Sequence, residues 1–362
     1  MFDGARLAQG LPYYISQVVF YPFEIYNSMS IVDVISRQDE LDSPKAKPHV
    51  NATVFDSWWF DAVSNNLTKE SITVVFYNAG PESIGAPDLG GPLFVEISGT
   101  FDNGTKFTIG STAPEGAVIE SGTQGIRGDW MGSGCSFTGS DLHRPSPEYT
   151  VSIDNAGLGV FGKLTLQSVS PPHFAGGSNK PGVSPELIPN IYAAFAQPDA
   201  AAVVDFTING KTLKFNGVGH HEKNWGTAAL EASVKAWYWG HGRVGPYSLV
   251  WFDGVTPGGK EYFASLITEN GKIVSQSCEP NSVVVRPWGE NDEFPPVRGA
   301  AAPAGYTLRY ALGHGMAFVA NFTREVSQVE ADTYKRMIGS FSGGMEGGEQ
   351  YEGRALCDQF QF

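Results

Sequence analysis

Val203-Val204-Asp205-Phe206-Thr207-Ile208-Asn209-Gly210-Lys211-Thr212-Leu213-Lys214-Phe215 alternates apolar and polar residues on both sides of a central Asn-Gly. Successive side chains of a strand point to opposite faces, and Asn-Gly is a favoured two-residue hairpin turn, so the stretch predicts a β-hairpin. The chain continues as Gly217-Val218-Gly219-His220-His221-Glu222-Lys223-Asn224-Trp225-Gly226, the densest run of polar chemistry in the sequence. In an extended strand His220 and Glu222 face one side, His221 and Lys223 the other. One side then lines a cavity. The plainer alternative is a polar strand end held by hydrogen bonds.

The same turn chemistry recurs outward from this hairpin. Strands are expected over residues 71–77, 93–97, 149–153, 162–169, 247–252, 262–267, 272–277 and 283–286, with further hairpins at Asn103-Gly104 and Asn270-Gly271. Helical periodicity is sparse. Residues 227–234 form the best short candidate, with Thr227 as its cap, and residues 325–337 fit helix or strand. Residues 171–189 and 290–303, rich in Pro, Gly and Ala, read as loops. Such a pattern predicts an all-β protein of two antiparallel units, residues 1–226 and 227–362.

Composition agrees. The 362 residues include 44 glycines and 23 prolines, with 12% aromatic and only 17% charged residues, which favours short strands and tight turns. A net charge of −14 argues against a nucleic acid partner. No apolar run is long enough for a membrane span. The aromatic stretch 11–26 lacks a basic leader and a cleavage site, so it does not read as a signal peptide. Four sequons, at Asn51, Asn66, Asn103 and Asn321, suit N-glycosylation and a secretory-pathway or secreted protein, with a cytoplasmic location as the alternative. Cys135, Cys278 and Cys357 leave both one disulfide and three free thiols open.

Two phosphate-binding strings fail on context. Gly157, Gly159 and Gly162 match G-x-G-x-x-G, but a strand-like run follows where the motif needs a helix. Gly254 to Lys260 resembles a P-loop, but Glu261 stands where a hydroxyl is needed. A metal site built on His220, Glu222 and a distant His241 or His314 lacks usual ligand spacing, so no metal or other cofactor is expected.

Two further segments combine aromatics with polar groups. In Asp56-Ser57-Trp58-Trp59-Phe60-Asp61, Asp56, Trp58 and Phe60 share one face, Ser57, Trp59 and Asp61 the other. Trp237-Tyr238-Trp239-Gly240-His241-Gly242-Arg243-Val244-Gly245-Pro246-Tyr247 interleaves aromatics with glycines. Together the three segments supply what a large apolar cavity with a few polar groups requires.

In this order the segments resemble the lipocalin-like superfamily of carotenoid 1,2-hydratases, and more closely its fungal branch of Diels–Alderase-type pericyclases. The resemblance rests on Trp59-Phe60-Asp61, on Gly217 to Gly226, on Trp239 to Tyr247 and on the tail Tyr351-Glu352-Gly353-Arg354-Ala355-Leu356, and spans residues 53–360. It implies an N-terminal β-sandwich packed on a C-terminal lipocalin-like β-barrel, with the substrate between them. It implies a cofactor-independent Diels–Alder or hetero-Diels–Alder cyclase acting on a hydrophobic polyene, polyketide or terpenoid. His220-His221-Glu222 departs from the Tyr and Asp common in the branch, and Asp56 from its Glu, which leans toward an intermolecular hetero-Diels–Alder reaction. The candidate catalytic residues are Asp56, His220, Glu222, His241 and Lys335. The candidate substrate-binding residues are Trp58, Trp59, Asp61, His221, Asn224, Trp225, Trp237, Trp239, Arg243, Tyr247 and Arg336. The alternatives are a hydratase or acid–base terpenoid cyclase or isomerase, and a non-catalytic carrier of hydrophobic metabolites.

Overall fold

A computed structural model describes residues 15–24, 29–34, 40–66, 68–84 and 91–362. The aromatic stretch 11–26 lies partly outside these residues. The regular structure of the described residues is antiparallel strand apart from one four-residue helix, Leu230–Ser233. The first large sheet ends at Gly226, and the second begins at Ala236.

The expected hairpin is present as two long strands, Ile191–Ile208 and Lys211–Gly226, turning through Asn209 and Gly210. Both turn residues have positive φ (49° and 77°), the conformation that Asn and Gly tolerate best. Lys211–Gly226 also pairs with Phe55–Ser64, which continues through Ser71–Ala79 and Leu93–Thr100 to Lys106–Thr112. On its other side Ile191–Ile208 leads through five more strands to Ile15–Tyr21. The sheet curls into a sandwich: Trp58 of one layer meets Trp130 of the other edge to face at 5.5 Å, and Phe76 meets Phe137 at 5.1 Å.

The second sheet runs from Lys272–Ser277 through Glu261–Glu269, Tyr247–Val255, Ala236–Val244, Tyr351–Gln361, Tyr334–Met345, Met316–Glu330 and Gly305–Gly313 to Val283–Trp288. It curls as a barrel does, so that Tyr238 meets Tyr306 at 5.0 Å across its interior. Each sheet encloses its own apolar core. A third core joins them, and it includes Phe55, Trp59, Phe195, Trp239, Val250, Ile338 and Leu356.

Two local expectations need correction, and one left open is resolved. Thr227 is no helix cap: its amide is bound to the Asn190 carbonyl, and the helical turn begins later with no side-chain cap at Ala229. Of the two forms open to residues 325–337 the structure takes strand: they join Met316–Glu330 to Tyr334–Met345 through a bend at 331–333. The expected loop 171–189 carries three short strands, His173–Phe174, Gly177–Ser178 and Glu186–Ile188; the first and last pair with Ile191–Ile208. The run after Gly159 is a strand, Val160–Ser168, as its rejection as a nucleotide loop requires.

Candidate functional site

Antiparallel register decides which side chains share a face. Glu222 pairs with Trp59, and His220 with Asp61, so these four point to the same side of the first sheet, toward the second. In the second sheet Asp358 pairs with both Trp239 and Arg336, and Leu356 with both His241 and Ile338. These rows point back toward the first sheet. The seam between the sheets is therefore two facing rows of polar and aromatic side chains.

Contacts across the seam are direct. Asp61 Oδ1 lies 2.8 Å from His241 Nε2, and Asp61 Oδ2 accepts a hydrogen bond from Trp59 Nε1 at 2.7 Å. The Trp59 and Trp239 rings meet edge to face at 5.6 Å, and the His220 and His241 rings stack at 4.6 Å. The Arg336 guanidinium lies 4.3 Å over Trp59 and donates to Glu96 at 3.2 Å and to Ser98 at 2.7 Å. Its Nε donates to the Tyr334 hydroxyl, which donates to Asp358 Oδ2 at 3.1 Å, while Trp237 Nε1 donates to Asp358 Oδ1 at 3.0 Å.

His220 holds a proton for a reason visible in its partners. Nδ1 lies 3.0 Å from the Pro198 carbonyl and Nε2 lies 3.3 Å from Glu222 Oε2. A carbonyl and a carboxylate only accept, so both ring nitrogens carry hydrogen, or Glu222 does. Burial alone lowers the His220 pKa, but the hydrogen bond and charge of Glu222, the charge of Asp61 and the Pro198 carbonyl outweigh it and leave it raised. The Pro198 carbonyl reaches His220 because Ile191–Ile208 bulges between Phe195 and Ala200. Proline, which cannot donate in a ladder, belongs at such a bulge. Glu222 is steadied by Asn224, whose amide donates to Oε1 at 2.7 Å.

Asp358 is the second acid. Burial pushes its pKa up to about 7, against the opposing pull of Arg336, Trp237 and Tyr334, and with the negative charge of Glu222 assisting. His173, whose ring stacks on Phe195 at 4.7 Å, is driven down to about 3 by burial and then by His220, and so is neutral. Sequence reasoning missed Asp358, Tyr334, Glu96 and His173. A lone carboxylate between Cys357 and Phe360 in the C-terminal strand was the available signal for Asp358.

Of the expected residues, Trp59, Asp61, His220, Glu222, Asn224, Trp237, Trp239, His241 and Arg336 meet at the seam. Trp237 and Trp239 are two apart on one strand, so both face it. Asp56, Trp58, His221 and Trp225 do not belong here: the same alternation turns them into the sandwich interior. There Lys223 is bonded to Asp56 and lies 3.7 Å over Trp58, His221 stacks on Phe60 at 4.0 Å, and Trp225 Nε1 donates to the Asp33 carbonyl. Lys335 points to the barrel side, opposite to Arg336, and donates to the Ala331 carbonyl. Tyr247 packs on Phe318 and Tyr351, also outside the seam. Arg243 faces the seam and clamps Asp199 through Nε and Nη2, at 2.7 Å to each oxygen. A hollow of about 680 Å³ among Glu120, Arg127, Thr138, Arg144 and Gln167 contains none of the seam residues. Of the sequon residues, Asn66, Asn103 and Asn321 are exposed, whereas Asn51 is half-buried and accepts bonds from the Thr53 and Val54 amides. Among the described residues no three His, Cys, Asp or Glu side chains gather as a metal-binding group, and no helix is long and apolar enough to cross a membrane.

This architecture has known counterparts. The crystal structure of CghA with Sch210972 superposes with a TM-score of 0.77 at 17% identity, covering 95% of this chain and 98% of that one. A putative AttH from Nitrosomonas europaea superposes at 0.55, with 11% identity over 91% of this chain and 99% of that one. In sequence, the quinolone epoxide rearrangement protein asqO of Emericella nidulans is 58% identical over 344 residues, 95% of this chain and 93% of its own length. The Diels-Alderase phmD of Phaeosphaeria nodorum is 27% identical over 256 residues, 68% of each chain. The Diels-Alderase-like family matches residues 16–285. With that match over most of its length, and a relative more than half identical across nearly all of it, the chain belongs to the Diels-Alderase-like family.

Proposed function

We propose that this enzyme catalyses the acid-promoted rearrangement of an epoxide carried by a quinolone-type heterocycle. The observation that carries this reading is the proton lodged between His220 and Glu222, both of whose other contacts are satisfied within a buried seam. The 58% identity to a quinolone epoxide rearrangement protein supports the substrate class.

Every step is an isomerisation and needs no co-reactant. The His220–Glu222 proton passes to the epoxide oxygen as one C–O bond breaks, a role in which a positioned acid contributes about 10²–10⁴-fold. Positive charge develops on the carbon left behind. The faces of Trp59 and Trp239 and the Asp61 carboxylate stabilise it. Hydrogen or an alkyl group then migrates with its bonding electrons from the oxygen-bearing carbon. The carbonyl forms as the hydroxyl proton returns to His220–Glu222. Asp358, neutral below about pH 7, supplies a second hydrogen-bond donor from the opposite wall. Burial of the seam keeps water from capturing the cation as a diol.

The test is to incubate the protein with a quinolone epoxide and weigh the product. A carbonyl isomer of unchanged mass, formed at least about 100-fold more slowly by His220→Gln, is expected. A diol as the main product, or a rate no faster than without enzyme, sinks the reading. A second reading, Diels–Alder or hetero-Diels–Alder cyclisation, is favoured by the paired tryptophan walls and by relatives named Diels-Alderases. A cycloaddition is driven by holding reactants together, so its rate would survive loss of the proton at His220.

A further inference from the structure

His173 Nδ1, Trp239 Nε1 and His241 Nδ1 are buried at the seam without a hydrogen-bond partner among the described residues, and the last two lie on one strand. Both side chains are more than nine-tenths buried, and buried polar groups are normally paired. Their chemistry is opposite. The indole nitrogen only donates. His241 Nε2 lies 2.8 Å from Asp61 Oδ1, which only accepts, so Nε2 carries a ring hydrogen, and in the neutral imidazole Nδ1 then keeps its lone pair. Asp61 is held in that role by Trp59, which occupies its other oxygen. The unpaired atoms are thus one donor and one acceptor.

They are also neighbours. Trp239 and His241 are two apart on Ala236–Val244 and so share a face, with ring centroids 5.9 Å apart. We propose that Trp239 Nε1–H and His241 Nδ1 together recognise a cis-lactam edge of the substrate. The lactam carbonyl accepts from Trp239 and the lactam N–H donates to His241. A cis-lactam presents both groups side by side on one edge, whereas a trans amide turns them in opposite directions. The inference rests on the epoxide reading only in taking the substrate to be a quinolone; the donor–acceptor pair stands without it. The contact also explains placement. A lactam held here lies beside His220, whose ring is 4.6 Å from His241 and 5.3 Å from Trp239, and beside Asp358, the cross-strand partner of Trp239.

The experiment titrates the whole chain with 2-quinolone and with its N-methyl derivative, read by tryptophan fluorescence and calorimetry. The wild-type protein should bind the N–H compound at least about tenfold more tightly, the size of one buried hydrogen bond. Trp239→Phe, which keeps the aromatic bulk, should weaken 2-quinolone by about tenfold and retain the discrimination. His241→Phe should abolish the discrimination. Equal binding of the two compounds by the wild-type protein overturns the proposal, and that result depends on no variant folding. Epoxide turnover is measured separately on the same preparation. Lactam discrimination without turnover leaves this inference standing and removes the epoxide reading; turnover without discrimination does the reverse.

Discussion

The strand pair Phe55–Ser64 and Lys211–Gly226 has two faces built from the same residue types, and they do opposite things. The inner face carries Asp56, Lys223 and His221. Asp56 is bonded by Lys223, by the Tyr21 hydroxyl and by the Lys45 and Ala46 amides. His221 donates to the Trp59 carbonyl and lies 3.8 Å from Asp42, which Tyr149 also bonds. The seam face carries Asp61, His220 and Glu222, and beside them stand Trp239 and His241, each with an unpartnered polar atom. On the inner face Asp56 and Lys223 neutralise each other, and His221 Nε2, though without a hydrogen-bond partner, lies in the sandwich interior. At the seam His220 and Glu222 share a buried contact, and the Trp239 and His241 side chains beside them each have an unpartnered polar atom. A carboxylate beside a cation is thus a structural or a chemical feature according to whether its neighbourhood is closed.

The largest effect should come from breaking the inner face. Lys223→Met leaves Asp56 buried with its cation gone, and such a loss costs about 3–5 kcal/mol. Denaturant unfolding should show it, while the fraction still folded keeps its specific activity. A fall in specific activity matching that of seam variants would erase the distinction between the faces.

Next in size is the seam proton. His220→Gln should slow turnover by about 10²-fold or more and change stability far less than Lys223→Met. Glu222→Gln should fall in the same range, because the pair shares the proton. If either variant unfolds as readily as Lys223→Met, the seam histidine is structural after all.

Alternation makes the two faces legible in the amino-acid sequence. Period two separates His220 and Glu222 from His221 and Lys223, and Asp61 from Asp56, whatever the fold. The hairpins at Asn209-Gly210 and Asn270-Gly271 likewise follow from turn chemistry alone. What alternation cannot say is which face meets the other sheet. That needs the register between strands more than 150 residues apart, which set Glu222 opposite Trp59 and so put Asp56 on the wrong side for the site. Asp358 shows in the sequence only as a lone carboxylate, for the same reason: its meaning comes from its pairing with Trp239 and Arg336 and from the burial that raises its pKa.

The two faces should also fail at opposite ends of the pH scale. Burial raises the Asp42 pKa, but the His221 hydrogen bond and charge and the Tyr149 bond outweigh it, so it is lowered from 3.8. Its stabilisation is present above that value and is lost as pH falls through the folded-state pKa. Asp358 is raised to about 7, so between about pH 4 and 7 the folded state binds the extra proton and stability declines as pH rises. His220, also raised, has the same sign: its contribution is full below the unfolded value of about 6.5 and is lost as pH rises through the folded one. Asp358→Asn should therefore shrink the loss of unfolding midpoint between pH 5 and pH 8 and flatten the decline in rate near pH 7. An unchanged slope would mean that Asp358 is ionised throughout.

The smallest effect should come from a residue that touches both roles. Trp59 Nε1 holds one oxygen of Asp61, and its ring lies under Arg336 and against Trp239. Trp59→Phe keeps most of the apolar burial and an aromatic face but removes the N–H. The folded state then loses one hydrogen bond to a carboxylate, worth about 1.5–3 kcal/mol at most. The freed oxygen still faces His241 through its sibling, so the tautomer of His241 is retained. A rate loss of about three- to tenfold is expected, from a looser Asp61 and a less sharply placed cation wall. An effect as large as that of His220→Gln would mean that Asp61, and not the His220–Glu222 pair, holds the reacting proton. No effect at all would mean that His241 alone orients Asp61, which narrows the site to the Trp239 side of the seam.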